Sequence, residues 1–115
     1  MHVEQLKFIL WVVDMQRALR FWRDTVGLRS GMESPHWSEL RHGDAIVALH
    51  GGGAEGVRDT GLGVQVRDIA SACREIAAAG GVVRSGPVRR PGEPILLAEC
   101  TDPEGNGFKV SQFVG

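Results

Sequence analysis

Lys7 interrupts the apolar run Leu6-Lys7-Phe8-Ile9-Leu10-Trp11-Val12-Val13, and Lys109 interrupts a second such stretch near the C-terminus. An ammonium has three donors and no lone pair to give. In such a setting it pairs with a carboxylate, waits for an anionic ligand, or works as an acid–base residue once burial lowers its pKa. Other residues with chemical potential fit known machinery poorly. His36, His42 and His50 fall at no recognisable metal-ligand spacing. His50-Gly51-Gly52-Gly53 has the letters of an oxyanion-hole loop, but no GxSxG nucleophile elbow occurs in the chain. This stretch therefore reads as a flexible linker. Asp102-Pro103-Glu104-Gly105-Asn106-Gly107 begins like a calcium loop. Its twelfth position is Phe113 where a bidentate Glu is needed, so it reads as a turn. Cys73 and Cys100 make neither a CxxC pair nor a disulfide framework, and both read as small buried hydrophobes of a reducing cytoplasm.

The elements that must position these residues follow from hydropathy. Leu6–Val13 is rich in β-branched and large apolar residues, as a strand requires. Asp14 can cap a helix, and Met15, Ala18, Leu19, Trp22 and Val26 continue at helical spacing as far as Gly27. Strands are expected over Leu28–Ser34, His36–Arg41 and Ala45–His50. The glycine-rich stretch Gly51–Gly56 follows, and the pattern restarts. Leu62, Val64 and Val66 alternate as a strand, Asp68 is the second cap, and Ile69, Ala72, Cys73 and Ile76 form the second apolar stripe. Strands over Val82–Ser85, Ile95–Thr101 and Gly107–Phe113 complete the chain. A shift of 54 residues lays Val12 on Val66, Asp14 on Asp68, Ala18 on Ala72 and Gly27 on Gly81. The chain is a βαβββ unit written twice, with modules at 1–52 and 60–115 inside one domain spanning 1–115. One unit cannot cover both faces of its own sheet, so the two must pair.

Composition sets the outer limits. At 115 residues, 43% apolar and 23% charged, the chain is an ordinary globular domain. Its formal net charge of -1 offers no general attraction for nucleic acid or an anionic membrane. The basic cluster Arg84, Arg89 and Arg90 lacks interleaved aromatics and reads as a solvated loop. No apolar run is long enough to span a bilayer, and Met1-His2-Val3-Glu4 begins no signal peptide.

The stretch "WVVDMQRALRFWRDTVGL" resembles the strand–Asp–helix–"LGL" opening of the vicinal oxygen chelate superfamily. That group includes glyoxalase I, extradiol dioxygenases and bleomycin-resistance proteins. "TDPEGNGFKV" resembles the closing turn and last strand of the same family. The resemblance implies an α+β fold of two βαβββ modules, a curved, cup-like mixed sheet with helices outside, and a homodimer. Metalloenzymes of the family draw His and Glu ligands from the first and fourth strands of each module. Carried over by motif, those positions fall on Lys7, Ala48, Gly61 and Lys109. None is an effective metal ligand here, and a catalytic centre needs about three.

Strand alternation puts Lys7, Ile9 and Trp11 on the concave side, with Phe8, Leu10 and Val12 turned to the helices. His50, Gln65, Lys109, Ser111 and Phe113 share the concave side by the same parity, joined by Trp37, Glu39, Arg41, Leu97 and Glu99. Lys7 and Lys109 are expected to meet water, an anionic ligand, or Glu39 or Glu99. By resemblance to the bleomycin-resistance branch, the chain is expected to sequester an antibiotic or natural product without a metal or other cofactor. Trp11 and Trp37 would stack on an aromatic or anionic ligand. Lys7, Arg41, His50, Glu99, Lys109 and Ser111 would fix its polar groups. The alternative is a glyoxalase- or dioxygenase-like enzyme. It would use a displaced metal at His50 with Glu99 or His42, or Lys7 as a metal-free acid–base residue.

Overall fold

The computed structural model describes all residues, Met1–Gly115. The first half runs β1 (Lys7–Val12), α1 (Met15–Leu19), a π-helical turn (Arg20–Thr25), β2 (Arg29–Met32), β3 (Trp37–His42) and β4 (Ala45–Gly51). The second runs β5 (Arg58–Gln65), α2 (Ile69–Ala78), β6 (Val82–Arg89), β7 (Ile95–Thr101) and β8 (Asn106–Phe113). The strands form two four-stranded sheets, ordered β1-β4-β3-β2 and β5-β8-β7-β6. Each contains one parallel pair, β1 with β4 and β5 with β8, and is otherwise antiparallel. β1 and β5 approach each other at the seam but share no ladder.

The repeat is visible at the helix starts. Asp14 Oδ1 accepts from the Arg17 amide and Asp68 Oδ1 from the Ser71 amide, each at 3.1 Å. Each cap satisfies a donor that has no partner within its helix. The first helix departs from the expected single stripe. Past Leu19 it widens into a π turn, in which the Val26 amide donates to Phe21 O at 2.9 Å. The extra residue per turn carries both Phe21 and Trp22 into the core, 1% and 0% exposed, although they are sequence neighbours. Val26, expected on the stripe, is only partly buried beside the core. Phe21 and Trp22 meet Phe108 edge-on at 6.1 and 5.0 Å, so one core of 18 residues draws on both modules.

Several sequence expectations shift. Phe8 does not pack under a helix. It is 45% exposed, because the core side of β1 begins only at Leu10. β5 starts at Arg58, ahead of the expected Leu62, and its register breaks between Asp59 and Gly63. Gly61 has φ +77 at this irregularity, a conformation that disfavours side chains. β6 extends past the expected Ser85 to Arg89, so Arg89 lies on a strand where a loop was expected. The glycine-rich stretch is not a loose linker. The Gly53 amide donates to Val12 O at 2.9 Å, and a Cβ on Gly53 would lie 2.9 Å from Val12 N.

The Asp102–Asn106 turn ties the two modules together. Glu104, its side chain fully buried, accepts from the Val13 and Asp14 amides at 2.7 and 2.8 Å and pairs with Arg17. Asp102 accepts from Trp22 Nε1 at 2.9 Å and from the Glu104 and Asn106 amides. Asn106 donates through Nδ2 to Trp11 O at 2.8 Å and accepts from Arg58 through Oδ1 at 2.9 Å. No buried side-chain nitrogen or oxygen lacks a partner.

Candidate ligand-binding site

The helix-free face of the first sheet is built in rungs by the registers of β1, β4 and β3. Lys7, Ile46 and Arg41 form one rung, Ile9, Ala48 and Glu39 the next, and Trp11, His50 and Trp37 the third. Leu10, Val12, Leu40, Val47 and Leu49 take the other face and enter the core. Alternation alone thus sorts the polar and aromatic set from the packing set.

Glu39 is the hub of this face. Its Oε2 accepts from Lys7 Nζ and from Trp37 Nε1, each at 2.8 Å, and Arg41 Nη2 lies 3.9 Å from its Oε1. The Lys7 hydrogen bond first, and the Trp37 hydrogen bond second, hold the Glu39 carboxyl below the usual carboxylate range. The Lys7 ammonium also lies 5.6 Å from the Trp37 ring centroid, within cation–π range. Trp11 stacks on His50 with centroids 4.0 Å apart and planes at 30°, and Trp37 meets His50 edge-on at 5.7 Å. His50 Nδ1 lies 2.6 Å from Gly51 O, an acceptor, so Nδ1 carries the proton. In the neutral ring, Nε2 is then left as an acceptor. Trp11 remains 43% exposed, so an aromatic ledge faces solvent beside a fixed carboxylate and an ammonium.

The remaining expected site residues lie on the second sheet. Glu99 stands opposite Lys109, and Leu97 opposite Ser111, in the β7–β8 ladder. Lys109 makes no ion pair, and Glu99 is approached by Ser85 Oγ at 3.5 Å. Glu99, Lys109, Asp59, Thr60, Gly61 and Arg84 help to line an open cleft of about 270 Å³, which does not include Ser111. The structure thus brings Lys7, Trp11, Trp37, Arg41 and His50 together. Glu99, Lys109 and Ser111 form a second group with no hydrogen bond to the first. Glu39 was the central residue to recognise. Its parity with Trp37 and Arg41 placed it on this face, and of the two carboxylates expected to meet Lys7 the structure pairs Lys7 with Glu39 and not with Glu99.

The residues do not fit a metal ion. The Lys7 ammonium is engaged with Glu39, Ala48 is fully buried without a donor, Gly61 has no side chain, and Lys109 is a second ammonium. No three His, Cys, Asp or Glu side chains gather anywhere in the chain, so a displaced set at His50 with Glu99 or His42 is not assembled.

Comparison with known proteins agrees with this architecture. Residues 2–110 match the sequence profile of the glyoxalase/bleomycin resistance protein/dioxygenase superfamily. This chain belongs to that superfamily. A search of curated proteins finds no significant match. Among solved structures, a family enzyme from Burkholderia phytofirmans PsJN superposes with a TM-score of 0.79 at 16% identity, covering 93% of this chain and 96% of that one. TnmS3, an antibiotic binding protein from Streptomyces sp. CB03234, gives 0.76 at 23% identity, with 97% of each chain covered. A glyoxalase/bleomycin resistance protein from the same Streptomyces strain gives 0.71 at 24% identity, with coverages of 95% and 100%. At these identities the solved structures establish the fold. No helix is long and apolar enough to cross a membrane.

Proposed function

We propose that this protein binds a planar, aromatic small molecule without a metal ion, in the manner of a sequestering antibiotic- or natural-product-binding protein. One observation carries the reading. The first-strand metal position of the family holds Lys7, locked to Glu39, and the same face presents Trp11, His50 and Trp37 as one aromatic array. Flat side chains give contact area at low ordering cost, while the fixed charges orient polar groups on the ligand. Arg41 extends the polar edge of this site. Glu99, Lys109 and Ser111 serve a ligand that reaches the second sheet. The description of TnmS3 as an antibiotic binding protein supports the same class. The protein acts as a homodimer in a reducing cytoplasm, which suits its two free, buried cysteines.

Tryptophan fluorescence tests this directly, because Trp22 is buried on Asp102 while Trp11 and Trp37 border solvent. Proflavine and anilinonaphthalene sulfonate serve as cationic and anionic planar probes. At least one should quench saturably, with the curve unchanged by EDTA. Trp37→Ala should weaken binding about tenfold, the loss expected for truncating one aromatic anchor. Absence of saturable quenching by either probe, or binding that requires a divalent cation, would overturn the proposal.

A further inference from the structure

At the end of the first sheet farthest from the tryptophans, two arginines stand opposite each other across a strand pair. Arg29 of β2 is the direct cross-strand partner of Arg41 of β3, so both side chains leave the same face. Their rung continues through Ile46 to Lys7, making it a row of three cations. Like charges directly opposite each other repel, and a fold normally places a carboxylate between them. Here it does not. The Arg29 side chain makes no hydrogen bond or ion pair, and the nearest carboxylate to Arg41 is Glu39 at 3.9 Å, already held by Lys7 and Trp37. Elsewhere the chain does pair an arginine, since Arg23 engages both Asp24 and Glu33.

The two arginines line an open hollow of about 370 Å³ with His42, Gly27 and Gly43, and no apolar side chain contributes to its wall. Gly43 turns the β3–β4 hairpin at φ +58 and Gly27 precedes β2 at φ +90, so two bare backbone turns form part of the rim. Asp44, the other hairpin residue, is exposed and does not line the hollow.

We propose that this hollow is an oxyanion site that takes a phosphate group, free or as a monoester, between the guanidinium forks of Arg29 and Arg41. Arginine presents donors in a planar fork that matches phosphate oxygens two at a time, and two forks answer the double charge of a phosphate. His42 adds a donor at the rim. Arg41 and Trp37 are four residues apart on β3, roughly 13 Å at the usual strand rise. The anion site shares Arg41 with the polar edge of the aromatic array, but Arg29 stands on β2 outside that array, so a variant at Arg29 tests the anion site alone.

The test is a titration with sodium phosphate followed by amide and arginine Nε chemical shifts, against sodium chloride at matched ionic strength. Saturable shifts should concentrate at Gly27, Arg29 and Arg41–Gly43. Arg29→Gln should weaken the apparent affinity at least tenfold, and Arg29→Lys, which keeps the charge but loses the fork, by a smaller factor. Both variants should retain quenching by the planar probes, which separates failure here from failure of the aromatic site. If Arg29→Gln does not fold, the lysine variant carries the comparison alone. Phenyl phosphate distinguishes the source. Binding at least tenfold tighter than inorganic phosphate assigns the site to a phosphate monoester, and equal binding assigns it to free phosphate. Shifts reproduced by chloride, or affinity indifferent to Arg29, would overturn the proposal.

Discussion

Glu39 accepts from an ammonium and an indole through one oxygen, and this arrangement decides how the aromatic face responds to acid. Its folded pKa is depressed, so its contribution to stability is complete above the unfolded value, near 4.5, and is lost as pH falls through the lower folded value. Lys7→Met removes the largest cause of the depression. The Glu39 carboxyl should then titrate closer to its ordinary range, as side-chain carbonyl NMR would show. The variant's stability should also fall less steeply below that pH. The loss at neutral pH should stay under about 1 kcal/mol, because Lys7 is partly exposed and such pairs are screened. A folded pKa unchanged by Lys7→Met would show that the ion pair does not hold in solution. At this scale period-two alternation was legible, and Lys7, Ile9 and Trp11 do share a face. Phe8 was misplaced because parity says which side a residue takes, not whether anything covers it. Glu39 was undervalued because its strongest partner, Lys7, lies two strands away on β1.

The turn from Asp102 to Asn106 shows what a motif can and cannot reveal about an element. Its Asp, Pro and Gly content marks a turn in any context. Its partners include Val13, Asp14, Arg17 and Trp22, some 80 to 91 residues away, and no local pattern encodes them. Glu104→Ala would strip the buried acceptor from two backbone amides and from Arg17 at the junction of the modules. It should cost roughly 3–5 kcal/mol in urea unfolding, the range for removing one partner of a buried, charge-assisted set. Arg17→Ala should cost much less, because its side chain is 40% exposed and leaves the Glu104 amide bonds intact. Comparable losses from the two variants would contradict this division. Both helix caps were legible from Asp14 and Asp68, and Asp68→Ala should cost about 1 kcal/mol by the same measurement. The π turn was not legible. It takes one residue more per turn than the spacing rule assumes, so Phe21 fell outside the expected stripe.

Across the whole molecule, one core joins both halves through Phe21, Trp22 and Phe108, which makes independent unfolding of the modules unfavourable. Far-UV circular dichroism and Trp22 fluorescence should therefore report a single coincident transition. The duplication by 54 residues made this pairing readable, since neither half could bury its own sheet face. What the repeat could not specify is the exposed edge. β1 has a strand neighbour only in β4, and it meets β5 without a ladder. Along it, Leu6, Phe8, Ile9, Trp11 and Val13 are 80%, 45%, 49%, 43% and 46% exposed. An edge strand carrying this much apolar surface is unusual for a monomer, whose edges are normally short, charged or covered. The proposed homodimer covers Leu6 and Phe8 with a second copy and leaves Trp11 open to the ligand. Sedimentation equilibrium should then give twice the 12.4 kDa chain mass. The double variant Leu6→Lys, Phe8→Lys should shift the population toward monomer with an unchanged circular dichroism spectrum, because both residues lie outside the core. A dimer indifferent to this variant would place the interface elsewhere, and a monomeric wild-type chain would leave the edge to the ligand alone.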